Sequence, residues 1–267
     1  MIRQRVISAV FIALLLIGAV MLLPGFWSAA VLSAVLLAAA WEWSGFLGHG
    51  SWRRAAFVGA TTALCPLLWG LSGSGTGLRL VLWFALLFWS LALLWVFFFP
   101  RWVNRAVVAA AGMLALSLAW LALVRMRLDV AQGAQAVMYT LLIVWLADSG
   151  AYFAGRALGV SKLAPAVSPG KTWAGLWGGL AVCALLAAAT AYLAHIPWQA
   201  LLPVTLVAGL FSVVGDLVES LCKRFAGLKD SGSLIPGHGG VLDRFDSLLA
   251  AAPLLLLGIE VLPALQR

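Results

Sequence analysis

Apolar segments of membrane-spanning length recur along the whole chain, at 6–24, 28–47, 55–72, 79–99, 105–124, 135–154, 174–194, 200–221 and 247–263. About 20 mainly apolar residues make a helix long enough to cross the hydrocarbon of a bilayer. Inside lipid every backbone N–H and C=O must be paired, which a helix does within its own segment. The nine segments therefore predict an all-α, polytopic integral membrane protein of about nine transmembrane helices. Only 10% of the residues are charged, against about 25% in a soluble domain, too few to cover a water-facing surface. The 14 Trp fit the same reading, because indole rings favour the headgroup region. The first segment follows Arg3 and Arg5, as a secretory signal would. The spans behind it favour an uncleaved anchor.

Charge then orients the chain. A net charge of +8 on a soluble protein would suggest nucleic acid. Here the basic residues lie in short connections, so they speak for topology and anionic headgroups, and no nucleic-acid partner is expected. With the N-terminus on one side and nine crossings, that side holds Arg3, Arg5, Arg53, Arg54, Arg101, Arg105, Arg156, Lys162, Lys171, Lys223, Arg224, Lys229 and Arg244. The other side holds Arg79, Arg125, Arg127 and Arg267. The positive-inside rule makes the richer side cytoplasmic, and with it the N-terminus and the two long connections, 155–173 and 222–246. The residues divide into a region 1–130 that carries little chemistry and a region 131–267 that holds both long connections. Cys65, Cys183 and Cys222 are far apart, form no CxxC pair and read as apolar filler.

The chain has nine acidic residues, and Asp148, Asp216, Glu219, Asp230, Asp243 and Asp246 all lie in or beside those two connections. An ionisable group in a spanning helix faces the protein interior or a watery cavity and is a functional candidate. Asp216, Glu219, Ser220 and Lys223 follow i, i+3, i+4, i+7 spacing and share one face of a greasy helix. Asp243, Asp246 and Ser247 open the next one. Two helix ends that present carboxylates to a shared cavity suit hard, oxygen-loving cations such as Mg²⁺. The plainer alternative is that these acids only neutralise Lys223, Arg224, Lys229 and Arg244; their concentration at one depth favours metal binding. Between the two helices, PGHGG could bring backbone N–H groups close to an anion ahead of a helix start. His238 could move a proton, but a hydrogen bond within the loop is the favoured role. The connection 155–173 brings Arg156, Lys162, Ser168 and Lys171, either as topogenic charge or as a second phosphate clamp; its length favours the clamp. Glu42, at the end of the second segment, is read as an interfacial residue rather than a cavity residue.

The stretch SLCKRFAGLKDSGSLIPGHGGVLDRFDS, residues 220–247, resembles the signature of the bacterial phosphatidate cytidylyltransferases, or CDP-diacylglycerol synthases. Ser220, Lys223, Arg224, Lys229, Asp230, Pro236, His238, Gly239, Gly240, Asp243, Arg244 and Asp246 are in register with it. A second stretch, DSGAYFAGRALGVSKLAPAVSPGKTWAG from Asp148 to Gly175, is similar to the same family, except that Ala174 stands where the family commonly has an acid. The resemblance implies transfer of the cytidylyl group of CTP to phosphatidic acid, giving CDP-diacylglycerol and pyrophosphate for phospholipid biosynthesis. It implies Mg²⁺, with a second cation left open, and a multi-pass protein of the bacterial inner membrane whose site faces the cytoplasm. Membrane lipids are the surroundings, and a homodimer is left open. Asp216, Asp243 and Asp246 are the expected metal ligands, with Lys223 and Arg244 beside them in the catalytic set. Arg224, Lys229, Lys171, Ser168, Ser220, His238, Gly239, Gly240 and Asp148 are the expected substrate-binding set. The rival readings are a CTP-dependent polyprenol or lipid kinase or another lipid nucleotidyltransferase, an ion-coupled transporter, whose charges would instead sit near mid-bilayer and in both halves, and a non-enzymatic membrane scaffold, which would leave the excess of acids unexplained.

Overall fold

The computed structural model describes residues 13–48, 50–232 and 239–266. Its helices, in chain order, are α1, described over 13–21, α2 (Gly25–Ser44), α3 (Ser51–Leu71), α4 (Gly75–Phe97) and α5 (Arg105–Asp129). They continue with α6 (Gly133–Leu158), α7 (Trp173–Leu193), α8 (Trp198–Phe225) and α9 (Leu242–Val261). The eight segments from 28–47 onward fall largely on α2 through α9, residues 13–21 of the first fall on α1, and α2 through α8 are each long and apolar enough to cross a membrane. The chain is a multi-pass, all-helical membrane protein with one small hairpin, in which β1 (Lys162–Ala164) pairs antiparallel with β2 (Ser168–Thr172).

At the end of the bundle that carries the signature, α6, α8 and α9 outrun their apolar segments, because polar residues continue the backbone ladder there. α8 carries on through Lys223 and Arg224, and α9 begins at Leu242, so the connection expected over 222–246 narrows to 226–241. The connection 155–173 is shorter still, since α6 reaches Leu158 and the hairpin fills most of the remainder. Starts are capped where the sequence allows: Ser74, Asn104 and Thr172 each accept a hydrogen bond from the amide three residues on.

The core sits around α9. It packs against α2, α4, α5, α6 and α8, and every residue from Ser247 to Leu257 is buried. A helix that is apolar all round belongs inside, and α9 is one below its charged first turns. Thus the region 1–130 packs on the same central helix as the region that carries the signature. The outer faces, with Leu22, Phe26, Phe153 and Leu185 exposed, are apolar as a lipid-facing surface requires. α6 and α7 meet through small residues: a Cβ on Gly179 would lie 2.8 Å from the Ala147 carbonyl oxygen, and one on Gly150 would lie 2.9 Å from that of Gly178. Such close approach is how helices pack where lipid removes the hydrophobic driving force.

At one end of the bundle the arginines are structural. Arg125 Nη2 donates to the carbonyls of Trp69 and Ser72, each at 3.0 Å, and its guanidinium lies 3.7 Å over the Trp69 ring. Arg127 Nη2 donates to Leu23 O at 2.7 Å. The acidic and basic residues of the signature gather at the other end.

Candidate active site

The close α6–α7 contact sets Asp148 beside the hairpin. Asp148, Tyr152 and Arg156 recur at every fourth position of α6 and line a cavity of about 370 Å³ together with Lys171 and Thr172 of β2 and Asp216 of α8. Lys171 Nζ lies 2.7 Å from Asp216 Oδ2, and Ser220 Oγ donates to Asp216 Oδ1 at 3.2 Å. Asp148 and Asp246 are near enough to Asp216 for each to feel its charge. Three carboxylates from α6, α8 and α9 thus share one region with a single paired lysine, and the cavity beside them is walled by α6, the hairpin, the start of α7 and α8.

A second polar layer lies deeper between α8 and α9. Lys223 Nζ pairs with Asp243 Oδ1 at 2.8 Å and also with Glu219, one turn back on its own helix. The Glu219 side chain is wholly buried, and those of Lys223 and Asp243 are about nine-tenths buried. Asp243 is occupied further: its Oδ2 accepts from Gly240 N at 2.8 Å and from Ser231 N at 3.0 Å. Gly239, at φ +82°, holds the left-handed turn that brings Gly240 N round to that carboxylate.

The expected residues do not form one constellation. Asp216 joins Asp148 and Lys171 in lining the cavity, and Asp246 lies close enough to feel the charge of both acids without lining it. Asp243, expected alongside Asp216 as a metal ligand, turns instead to Lys223 and the loop amides. Among the described residues, no three His, Cys, Asp or Glu side chains converge as a ready-made metal cage. The glycine turn was expected to offer its amides to an anion. Of that turn's described amides, Gly240 N goes to Asp243; beside the turn, Ser231 N also goes to Asp243 and Leu242 N to Glu42, while 236–238 lie outside the described residues. Arg224 Nε donates to Val167 O at 3.3 Å and braces the hairpin. Ser168 opens β2, Lys229 and Arg244 are exposed at this end, and His238 and Pro236 lie outside the described residues.

Two residues were misjudged or passed over from the sequence. Glu42 is not interfacial. Its side chain enters the core at 4% exposure, and Oε2 accepts from Leu242 N at 2.7 Å and from Ser231 Oγ at 3.3 Å. No local pattern could show this, because the partners lie about two hundred positions away along the chain. Tyr152 went unremarked, though its place one turn after Asp148 was a readable signal.

The architecture and the site meet known proteins at this point. Residues 3–262 match the cytidylyltransferase family. The chain belongs to that family. Phosphatidate cytidylyltransferase of Pseudomonas aeruginosa is 40% identical over 262 residues, covering 95% of both chains. The enzyme of the same name from Haemophilus influenzae is 38% identical over 281 residues, covering 95% of this chain and 96% of its own. That of Bacillus subtilis is 46% identical over a 125-residue stretch, 46% of each chain.

Proposed function

We propose that this chain transfers the cytidylyl group of CTP to phosphatidic acid, releasing pyrophosphate and leaving CDP-diacylglycerol in the membrane for phospholipid synthesis. The observation that carries the reading is the cavity at one end of the bundle, which Asp148, Lys171 and Asp216 line together with Tyr152 and Arg156. A lipid headgroup could enter there while its acyl chains stay in the bilayer.

The attacking atom is an oxygen of the lipid phosphate, and the target is the α-phosphorus of CTP. A phosphate monoester has a second pKa near ~6, so the nucleophile is ionised at neutral pH and needs no strong general base. The obstacle is bringing two polyanions together. Lys171 is placed to pass from Asp216 to a phosphate oxygen. Arg156, on the same cavity wall, adds a second cation. Lys223, held between Glu219 and Asp243, gives the deeper layer a fixed positive charge. Thr172 caps α7 and fixes the end of β2, and so sets where Lys171 starts from.

Asp148, Asp216 and Asp246 are not gathered into a cage, but they are hard oxygens with only one lysine among them, and they are the residues that would draw together to hold Mg²⁺. Bound there, the ion supplies charge neutralisation to the phosphates and the leaving group. Asp243 is the poorer ligand, because both its oxygens already hold protein donors. We place the site on the cytoplasmic face of the inner membrane, from the excess of basic residues on that side.

Purified protein in lipid nanodiscs, given α-labelled CTP and phosphatidate with and without Mg²⁺, should yield labelled lipid and pyrophosphate only with the ion. Formation of CDP and a phosphorylated lipid would make it a kinase instead. Ion flux in proteoliposomes without CTP would make it a carrier.

A further inference from the structure

Glu42 is buried, belongs to the region with little recognisable chemistry, and reaches the signature from outside it. Its Oε2 accepts from the amide of Leu242, the first residue of α9, and from Ser231 Oγ within the loop. Two glycines frame it. A Cβ on Gly232 would lie 2.5 Å from Glu42 Oε1, and a Cβ on Gly240 would also meet the Glu42 carboxyl group. The absence of side chains at both positions therefore makes room for this carboxyl. On the opposite side of the same loop Asp243 holds the amides of Ser231 and Gly240. Ser231 is thus gripped twice, through its hydroxyl by Glu42 and through its amide by Asp243.

We infer that Glu42 is a positioning residue for the signature loop: it ties Ser231 within the loop and Leu242 at the start of α9 to α2 and thereby fixes Asp243, and through it Lys223, for the reaction. Glu42 touches no reacting atom. It acts through the Leu242 amide and Ser231, and the space left by Gly232 and Gly240 is its counterpart. The arrangement explains why a carboxyl side chain is retained in the core at the end of α2, where an apolar one would need no partner. It also makes the first half of the chain a working part of the site. This inference rests on the proposed reaction for its kinetic readout, but not for its structural one.

The test compares Glu42→Leu, which removes the acceptor, with Glu42→Gln, which keeps one, and Glu42→Asp, which keeps the charge but shortens the reach. All are purified in nanodiscs beside wild type. Amide hydrogen exchange on peptides covering 226–232 and 239–246 should rise in Glu42→Leu and return toward wild type in Glu42→Gln. In the folded fraction, kcat/KM for CTP should fall at least about tenfold for Glu42→Leu and stay within about threefold for Glu42→Gln. If Glu42→Leu does not fold, Glu42→Asp decides, with raised exchange in the same peptides and lowered kcat/KM expected. Wild-type exchange and kinetics in the folded Glu42→Leu protein, or in Glu42→Asp where Leu fails, would overturn the inference. A merely structural role predicts less folded protein with unchanged kinetics per molecule, and that result would overturn it as well. A wild type that makes no CDP-lipid would sink the proposed reaction, while the exchange data would still judge Glu42.

Discussion

Replacing Lys223 by Met separates structural from chemical need in the deeper layer. Lys223 is the shared partner of Glu219 and Asp243, and all three side chains are nearly out of contact with solvent. Asp243 keeps two amide donors after the substitution. Glu219 keeps none, because among the described residues its only partner is Lys223. Removing one member of a buried pair typically costs about 3–5 kcal/mol, most of it the isolated charge that remains. For a protein of this size about 1 kcal/mol moves the unfolding midpoint by roughly 2–4 °C, so Lys223→Met should lower Tm by about 10 °C. The double variant Lys223→Met with Glu219→Gln removes the isolated charge and should recover most of that loss, since a neutral amide needs no counter-charge. Activity should not recover with it: kcat/KM should stay at least about a hundredfold down, because Asp243 and any phosphate nearby have lost their cation. The assay is thermal unfolding of detergent-solubilised protein, read by size-exclusion fluorescence, beside CDP-lipid formation. A single variant within about 2 °C of wild type, or a double variant no more stable than the single, would refute the charge argument. Restored turnover in the double variant would confine Lys223 to a structural role.

Other outcomes follow from the same geometry. Asp216→Asn should cut product formation by at least about a hundredfold while insertion and Tm stay near wild type, and EDTA should do the same to the unmodified enzyme; normal turnover in either case would remove Asp216 and Mg²⁺ from the mechanism. Gly239→Ala places a side chain on a residue at φ +82° and should destabilise the loop by about 1–2 kcal/mol, seen as faster amide exchange at Gly240. Arg125→Met strips the cap from the end of α3 and should lower Tm by several degrees with kcat/KM unchanged, because Arg125 lies at the end of the bundle away from the cavity. A cysteine placed at Lys229 should react with an impermeant maleimide in inside-out vesicles but not in intact spheroplasts; the native cysteines are all buried and should not interfere.

That this chain is a helical membrane protein, and which end of it carries the chemistry, can be read from its residues in order. Those conclusions need only local information: the length of an apolar run, the spacing of Asp216, Glu219 and Lys223, the charge of the connections, and an unbroken signature. That local information could not say which acid meets which base. Asp216 and Asp243 look equivalent in one dimension. In three, Asp216 faces Lys171 and a cavity, while Asp243 turns to Lys223 and the backbone. Glu42 makes the point most sharply, since its position at the end of an apolar helix looks interfacial until α2 packs against α9. Pairing between residues far apart along the chain depends on how the helices cross. That crossing is set by contacts such as those at Gly150 and Gly179, where the backbones approach because a side chain is absent.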